Sequence, residues 1–191
     1  LEALVRHQWV FGGYPAVALS ESPRDELHEL LQAFIIRDAS DRFRVQRADA
    51  FRRLLPLLAS QVGSLVNYAE WASLLGISAS TVAEYVGLLE ETWVVACLPA
   101  FAGGKRSELT SAKRLFYLDP GVRNATLGAF STDIARRTDV GALAESWVLA
   151  ELYKALPRSW AVHHWRTKGG AEMDFVLVGE GRVVGVEVKA S

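Results

Sequence analysis

The chain has 191 residues, half of them hydrophobic and 23% charged, with a formal net charge of −1. This composition excludes an extended disordered chain and leaves no global attraction to nucleic acid, so any such partner must be met by a local patch. The single cysteine, Cys97, excludes an internal disulfide framework or a cysteine-based zinc site and fits a reducing compartment.

No apolar run reaches the roughly 18 residues needed to cross a bilayer, and the opening Leu-Glu-Ala-Leu-Val-Arg-His lacks a signal pattern. The expectation is a cytoplasmic protein with no membrane partner. With no initiating Met, and Met173 the one methionine, the chain is expected to be a fragment of something longer.

Taken in order, Gly12-Gly13-Tyr14-Pro15 predicts a turn or linker. Ser22-Pro23 opens a helix with Leu27, Leu30, Leu31, Phe34 and Ile35 on one face, and a second runs from about Arg47 to Val62 with Pro56 predicting a kink or an early end. The arginine-rich stretch from Arg37 to Arg53 reads as a solvated helix face with local ion pairs. Helices at about 67–75 and 79–92, joined by Leu75-Gly76-Ile77-Ser78, carry the marks of a helix-turn-helix. Strands at Trp93–Leu98 and Arg114–Leu118 then add a two-stranded wing, so the unit reads as a winged helix.

Charge argues against that helix pair entering a DNA groove. Between Gln61 and Pro99 there are Glu70, Glu84, Glu90 and Glu91 but no lysine or arginine. Groove reading favours guanidinium and amide groups, and phosphate affinity grows with the phosphates neutralised. The pair reads as a packing or protein-contact module, with backbone contacts to DNA left to the basic wing residues Lys105, Arg106, Lys113 and Arg114.

Asp119-Pro120-Gly121 ends the wing, a short helix follows to about residue 129, and a polar loop at Ser131–Asp139 marks the expected boundary. The domains are thus read as 1–130, a helical and winged-helix module, and 131–191. The second begins with a helix from Gly141 to before Pro157, followed by strands at Trp160–Trp165, Glu172–Val178 and Arg182–Lys189, the last two joined by the hairpin signal Gly179-Glu180-Gly181. His163 and His164 are adjacent in a strand, so their rings diverge and cannot chelate one ion together.

Alternation places Glu172, Asp174 and Val176 on one face of their strand, and Gly185, Glu187 and Lys189 on one face of the next. A hairpin turning at 179–181 brings Asp174 opposite 186 or 187. Neighbouring carboxylates repel, and a bound cation relieves them; an oxygen-rich pair suits Mg²⁺ or Mn²⁺. Lys189 sits beside that pair, and Glu145 reaches it from the preceding helix.

Glu145, Asp174 and Glu187-Val188-Lys189 together resemble the PD-(D/E)xK nucleases of the restriction-endonuclease-like fold. Over nearly its whole length, from Gly12-Gly13-Tyr14-Pro15 through Arg37-Asp38 to Ala144-Glu145 and Val186-Glu187-Val188-Lys189, the chain is similar to the C-terminal region that follows an AAA-type ATPase domain in many bacterial and archaeal proteins. The resemblance implies an α+β fold: a helical and winged-helix module, then an α-β-β-β core that stops at Ser191, short of the helix and strand that complete it. It implies a Mg²⁺- or Mn²⁺-dependent site acting on DNA, with Asp174 and Glu187 as metal ligands and Asp174, Glu187, Lys189 and Glu145 as catalytic residues. Met173 stands where the superfamily carries proline. The expected partner is the chain's own ATPase domain, with DNA at the wing and the nuclease-like face; an oligomer is compatible with this. No G-x-x-x-x-G-K-[ST] occurs, so no ATP site is expected here. The alternative is a nuclease-like fold without catalysis, serving as a regulatory or protein-interaction module.

Overall fold

A computed structural model describes residues 2–33, 47–101, 112–167 and 171–190. The expectations placed on Phe34, Ile35, Arg37 to Arg44, Lys105 and Arg106 lie outside the described residues. The elements, among those described, are α1 (Glu2–Phe11), α2 (Pro15–Ala18), α3 (Pro23–Leu30), α4 (Ala48–Ser60), α5 (Tyr68–Leu75), α6 (Ala79–Glu91), β1 (Val95–Leu98), β2 (Arg114–Tyr117), α7 (Pro120–Leu127), a 3₁₀ turn (Ile134–Arg136), α8 (Val140–Ala155), β3 (Ala161–Arg166), β4 (Glu172–Gly179) and β5 (Arg182–Val186). The fold is α+β. Among the described residues no single helix is long and apolar enough to cross a membrane.

Helix α1 precedes the Gly-Gly turn, where the sequence shows no clear helical signal. Its seat is α7: the buried Asn124 donates to the carbonyls of Trp9 at 3.0 Å and Val10 at 2.9 Å. The approach is so close that a Cβ on Gly121 would lie 2.2 Å from the Phe11 carbonyl oxygen. Gly12 then takes φ +77°, and Asp119 accepts from Gly13 N–H while also capping α7 through Val122 N–H. The glycine pair is therefore a docking turn, with a positive φ that glycine adopts without cost.

Helix α4 buries Phe51, Leu54, Leu55 and Leu58 and continues past Pro56 to Ser60, longer than the proline suggests. The next two helices follow their sequence signals closely. Asn67 caps α5 by accepting from Glu70 N–H, Gly76 at φ +67° ends it, and Ser78 caps α6 by accepting from Thr81 N–H. These are the side chains and the left-handed glycine that helix ends call for. The two axes are bent by 106°.

Strands β1 and β2 form an antiparallel ribbon in the register Val95↔Tyr117, Ala96↔Phe116, Cys97↔Leu115 and Leu98↔Arg114. The ribbon does not stand clear of the body as a projecting wing does. Both its faces are covered. Val95, Cys97, Leu115 and Tyr117 join the helical core with Phe51, Leu58, Trp71 and Val86, whereas Ala96, Leu98 and Phe116 join a second core with Leu149 of α8 and Val162, Phe175 and Leu177 of the other sheet. The period-2 alternation of a strand thus divides seven of the eight ribbon positions between two cores, Arg114 being the eighth. Residues 63–66 run alongside β2, with Gly63 N–H bonded to Leu115 O and Leu115 N–H to Ser64 O.

The second sheet is the antiparallel meander β3-β4-β5. The β3 edge is covered by the segment leaving the ribbon: His164 N–H bonds Pro99 O and Phe101 N–H bonds His164 O. Strand β5 ends at Val186, not at the expected Lys189, so Glu187 to Lys189 lie beyond the ladder. The polar stretch 131–139 is closed by ion pairs. Arg123 and Arg137 both hold Asp139, and their hydrogen bonds outweigh the burial that alone would raise its carboxyl, bringing it down to about 2.

Because Phe116 fills the second core from a ribbon anchored in the first, cutting it to alanine should damage both. Phe116→Ala is expected to lower unfolding free energy by about 3–5 kcal/mol in urea titration. Tryptophan fluorescence and far-UV circular dichroism should lose signal in one coincident transition; separate transitions for the helical part and the sheet would contradict a shared ribbon.

Candidate functional site

The residues singled out in the closing stretch do not all meet. Glu145 on α8 and Asp174 on β4 converge, and the group between them is the guanidinium of Arg114, the first residue of β2. Arg114 Nη2 lies 3.2 Å from Glu145 Oε2 and Nη1 lies 3.9 Å from Asp174 Oδ1. The three side chains are 14%, 20% and 14% exposed, so the contacts are largely shielded from water. Arg114 Nε donates to the Gly63 carbonyl at 2.7 Å, and the guanidinium sits over the Phe116 ring, 5.4 Å from its centroid.

Strand alternation is the reason Arg114 turns inward. Residue 114 shares a face with Phe116, and that face looks at the second core, where α8 and β4 bring their carboxylates. Arg114 is therefore not a wing residue available to a phosphate backbone, as the sequence suggested. Lys113, its neighbour, is exposed.

Asp174 is held a second way: its Oδ2 accepts from Val188 N–H at 2.8 Å. The last ladder pair is Phe175↔Val186, so Asp174 and Glu187 each lie one residue past it. Past Val186 the backbone leaves the ladder and reaches back to Asp174 through the Val188 amide alone. Glu187 and Lys189 pair with each other in solvent, their side chains 56% and 78% exposed. The hydrogen bond and charge of Glu187 raise the Lys189 ammonium above its usual value.

Burial also raises the Glu145 carboxyl, with Asp174 and Glu172 adding to the effect and Arg114 opposing it. A largely shielded carboxylate loses more hydration than a single guanidinium returns.

A divalent cation, which the resemblance implies for Asp174 and Glu187, does not fit this arrangement. Glu187 is turned to Lys189, and the carboxylate that does approach Asp174 reaches it through a guanidinium. A doubly charged ion about 4 Å from that guanidinium would meet repulsion on the order of 8 kcal/mol at an effective dielectric of about 20. Among the described residues no group of three or more His, Cys, Asp or Glu side chains is placed to hold a metal ion. His163 and His164 are likewise apart in role: His164 is buried with Nε2 against Ala112 O, and burial lowers its basicity.

A separate concavity of about 270 Å³ lies at the Gly-Gly turn, lined by Gly13, Tyr14, Pro15, Trp93, Leu118, Asp119 and Lys154. Trp93 adopts φ +60° with its indole largely exposed. Burial raises the carboxyl of Asp119 against the amides it caps.

Two family models match the chain. Residues 2–133 match the family described as Domain of unknown function (DUF8612), and residues 140–191 match Domain of unknown function (DUF4143). Uncharacterised proteins of Mycobacterium tuberculosis and Mycobacterium bovis are each 29% identical over 187 residues, covering 95% of this chain and 42% of their own length. An uncharacterised protein of Haemophilus influenzae is 24% identical over 136 residues, covering 68% of this chain and 34% of its own. The chain thus spans about two fifths or less of the length of these relatives. No solved structure matches it.

The shift of Glu145 has a definite pH signature. A carboxyl raised in the fold contributes stability below its unfolded value of 4.5, and that contribution is lost as pH rises through the higher folded value. The urea midpoint of the protein should therefore fall relative to that of Glu145→Gln as pH is raised upward from 4.5. Parallel curves for the two proteins over that range would show that Glu145 titrates as an ordinary surface acid.

Proposed function

Starting from a chain that belongs to the DUF8612 family over residues 2–133, we propose that it is a regulatory or protein-interaction module of a longer, ATPase-type protein. The DUF4143 match supports the context, since that family is commonly found in C-terminal regions associated with AAA-type ATPases. The nucleotide chemistry would then reside outside this chain, which has no phosphate-binding loop motif.

The observation that carries the module reading is the burial of both faces of the β1–β2 ribbon. Read as a winged helix, α5, α6 and the ribbon have their wing strands committed to two cores. Its helices expose Glu70, Glu84 and Glu91 and carry no lysine or arginine, while Glu90 turns inward to accept from Cys97 N–H. A unit built this way resists a polyanion and suits contact with protein, because each phosphate contact needs a positive group to neutralise it. Restriction-endonuclease-like topology, if α8-β3-β4-β5 is read so, supplies a scaffold without supplying its chemistry.

A second reading, a phosphodiesterase acting on DNA, is favoured by one observation: Glu145 and Asp174 approach the same group from two elements, and Val188 N–H fixes Asp174. Under it, Arg114 would leave the pair, Asp174 and Glu145 would hold a divalent cation that polarises the reacting phosphate, and Lys189 would offer a further counter-charge.

The two readings part on binding. Fluorescence anisotropy of a labelled duplex with the full chain at about 50 mM salt, where phosphate contacts are strongest, should show no saturable binding. Saturable binding that weakens steeply with salt would overturn the module reading. Cleavage of the duplex in Mg²⁺ that disappears in Asp174→Ala would establish the second.

A further inference from the structure

We propose that Arg114 is a built-in counter-cation that keeps the Glu145–Asp174 pair closed to divalent ions, so that the pair takes Mn²⁺ only once the guanidinium is removed. This goes beyond the module reading and does not depend on it.

The position of the guanidinium is constructed from several sides. Strand alternation aims Arg114 at the second core, along with Phe116. The carbonyl of Gly63 takes the Nε–H at 2.7 Å, leaving the two terminal nitrogens to face the carboxylates. Gly63 itself has φ +81°, and a Cβ there would lie 3.4 Å from Arg114 Nη2 and 3.6 Å from Glu145 Oε2. Left-handed Gly63 thus lies beside the ion pair at ordinary contact distance. Hydrogen bonds from Gly63 N–H to Leu115 O and from Leu115 N–H to Ser64 O hold its segment to β2.

Arginine suits the role better than lysine. A planar guanidinium can give one edge to a carbonyl and the others to two carboxylates at once, and it stays charged throughout the range in which proteins fold. Its removal leaves two shielded carboxylates without a cation. Oxygen ligands of this kind, with waters completing the shell, take hard divalent ions in the absence of a competing fixed charge. The amide of Val188 already orients Asp174, so one ligand would be held in place beforehand.

The full chain, freed of metal with EDTA and exchanged into buffer, can be titrated with Mn²⁺ and the bound ion counted by electron paramagnetic resonance, with melting temperature read in parallel. The native protein is expected to bind no ion that Asp174→Asn removes, and its melting temperature is expected not to respond. Arg114→Gln should melt lower in EDTA, bind one Mn²⁺ at least about tenfold more tightly than any residual binding in the native protein, and recover stability with the ion. Adding Asp174→Asn to Arg114→Gln should abolish that binding. Arg114→Lys, which keeps the charge, should bind no better than the native chain, and a gain in Arg114→Gln without one in Arg114→Lys is an outcome that a merely structural arginine would not produce. An ion bound by the native protein and lost in Asp174→Asn would overturn the proposal, as would an Arg114→Gln protein that folds and binds none. Should Arg114→Gln fail to fold, the native protein and Arg114→Lys decide alone: Asp174-dependent binding by either one overturns the proposal, and its absence in both supports it.

Discussion

Burying both faces of a short strand pair is the constraint on which this chain depends. A ribbon with one wet face can carry polar residues at every second position. Strands β1 and β2 have no such freedom, because one set of alternate residues completes the helical core and the other completes the core under the three-stranded sheet. The cost of placing a charge on such a strand is large unless it finds a partner. Arg114 is that case. It enters at the start of β2, on the face of Phe116, and finds Glu145, Asp174 and a backbone carbonyl there. The ion pairs and the ribbon are therefore one structural problem with one solution.

Much of the architecture was legible in the sequence because its signals are local. The caps at Asn67 and Ser78, the left-handed Gly76 and the 179–181 hairpin each depend on residues within a turn of one another. Helix α1 was not, since it is seated by Asn124 and Gly121, more than a hundred positions away. The proline in α4 misled in the opposite direction: burial of Phe51, Leu54, Leu55 and Leu58 holds the helix together past Pro56.

The site was legible in part, for a related reason. Alternation and hairpin length set Asp174 opposite 186 or 187, yet they cannot say where the ladder stops, and its last pair is Phe175↔Val186. Glu187 and Lys189 are thereby released to pair in solvent. Arg114 was assigned to a basic loop by its proximity to Lys105, Arg106 and Lys113. The signal that places it elsewhere was present in Arg114-Leu115-Phe116-Tyr117, where alternation sets the arginine on the face of Phe116. It has force once both faces are known to be covered, and that is a tertiary fact. The chain spans 42% of the length of its Mycobacterium relatives.

The central claim is that Arg114 and Glu145 stabilise this fold together, as a shielded pair at the junction of ribbon, helix and sheet. A double-mutant cycle in urea unfolding, using Arg114→Met, Glu145→Gln and the double variant, measures that coupling directly. The account predicts a favourable coupling of about 1–3 kcal/mol, as for residues in contact within one network. Coupling below about 0.5 kcal/mol, the additivity expected of independent sites, would contradict it.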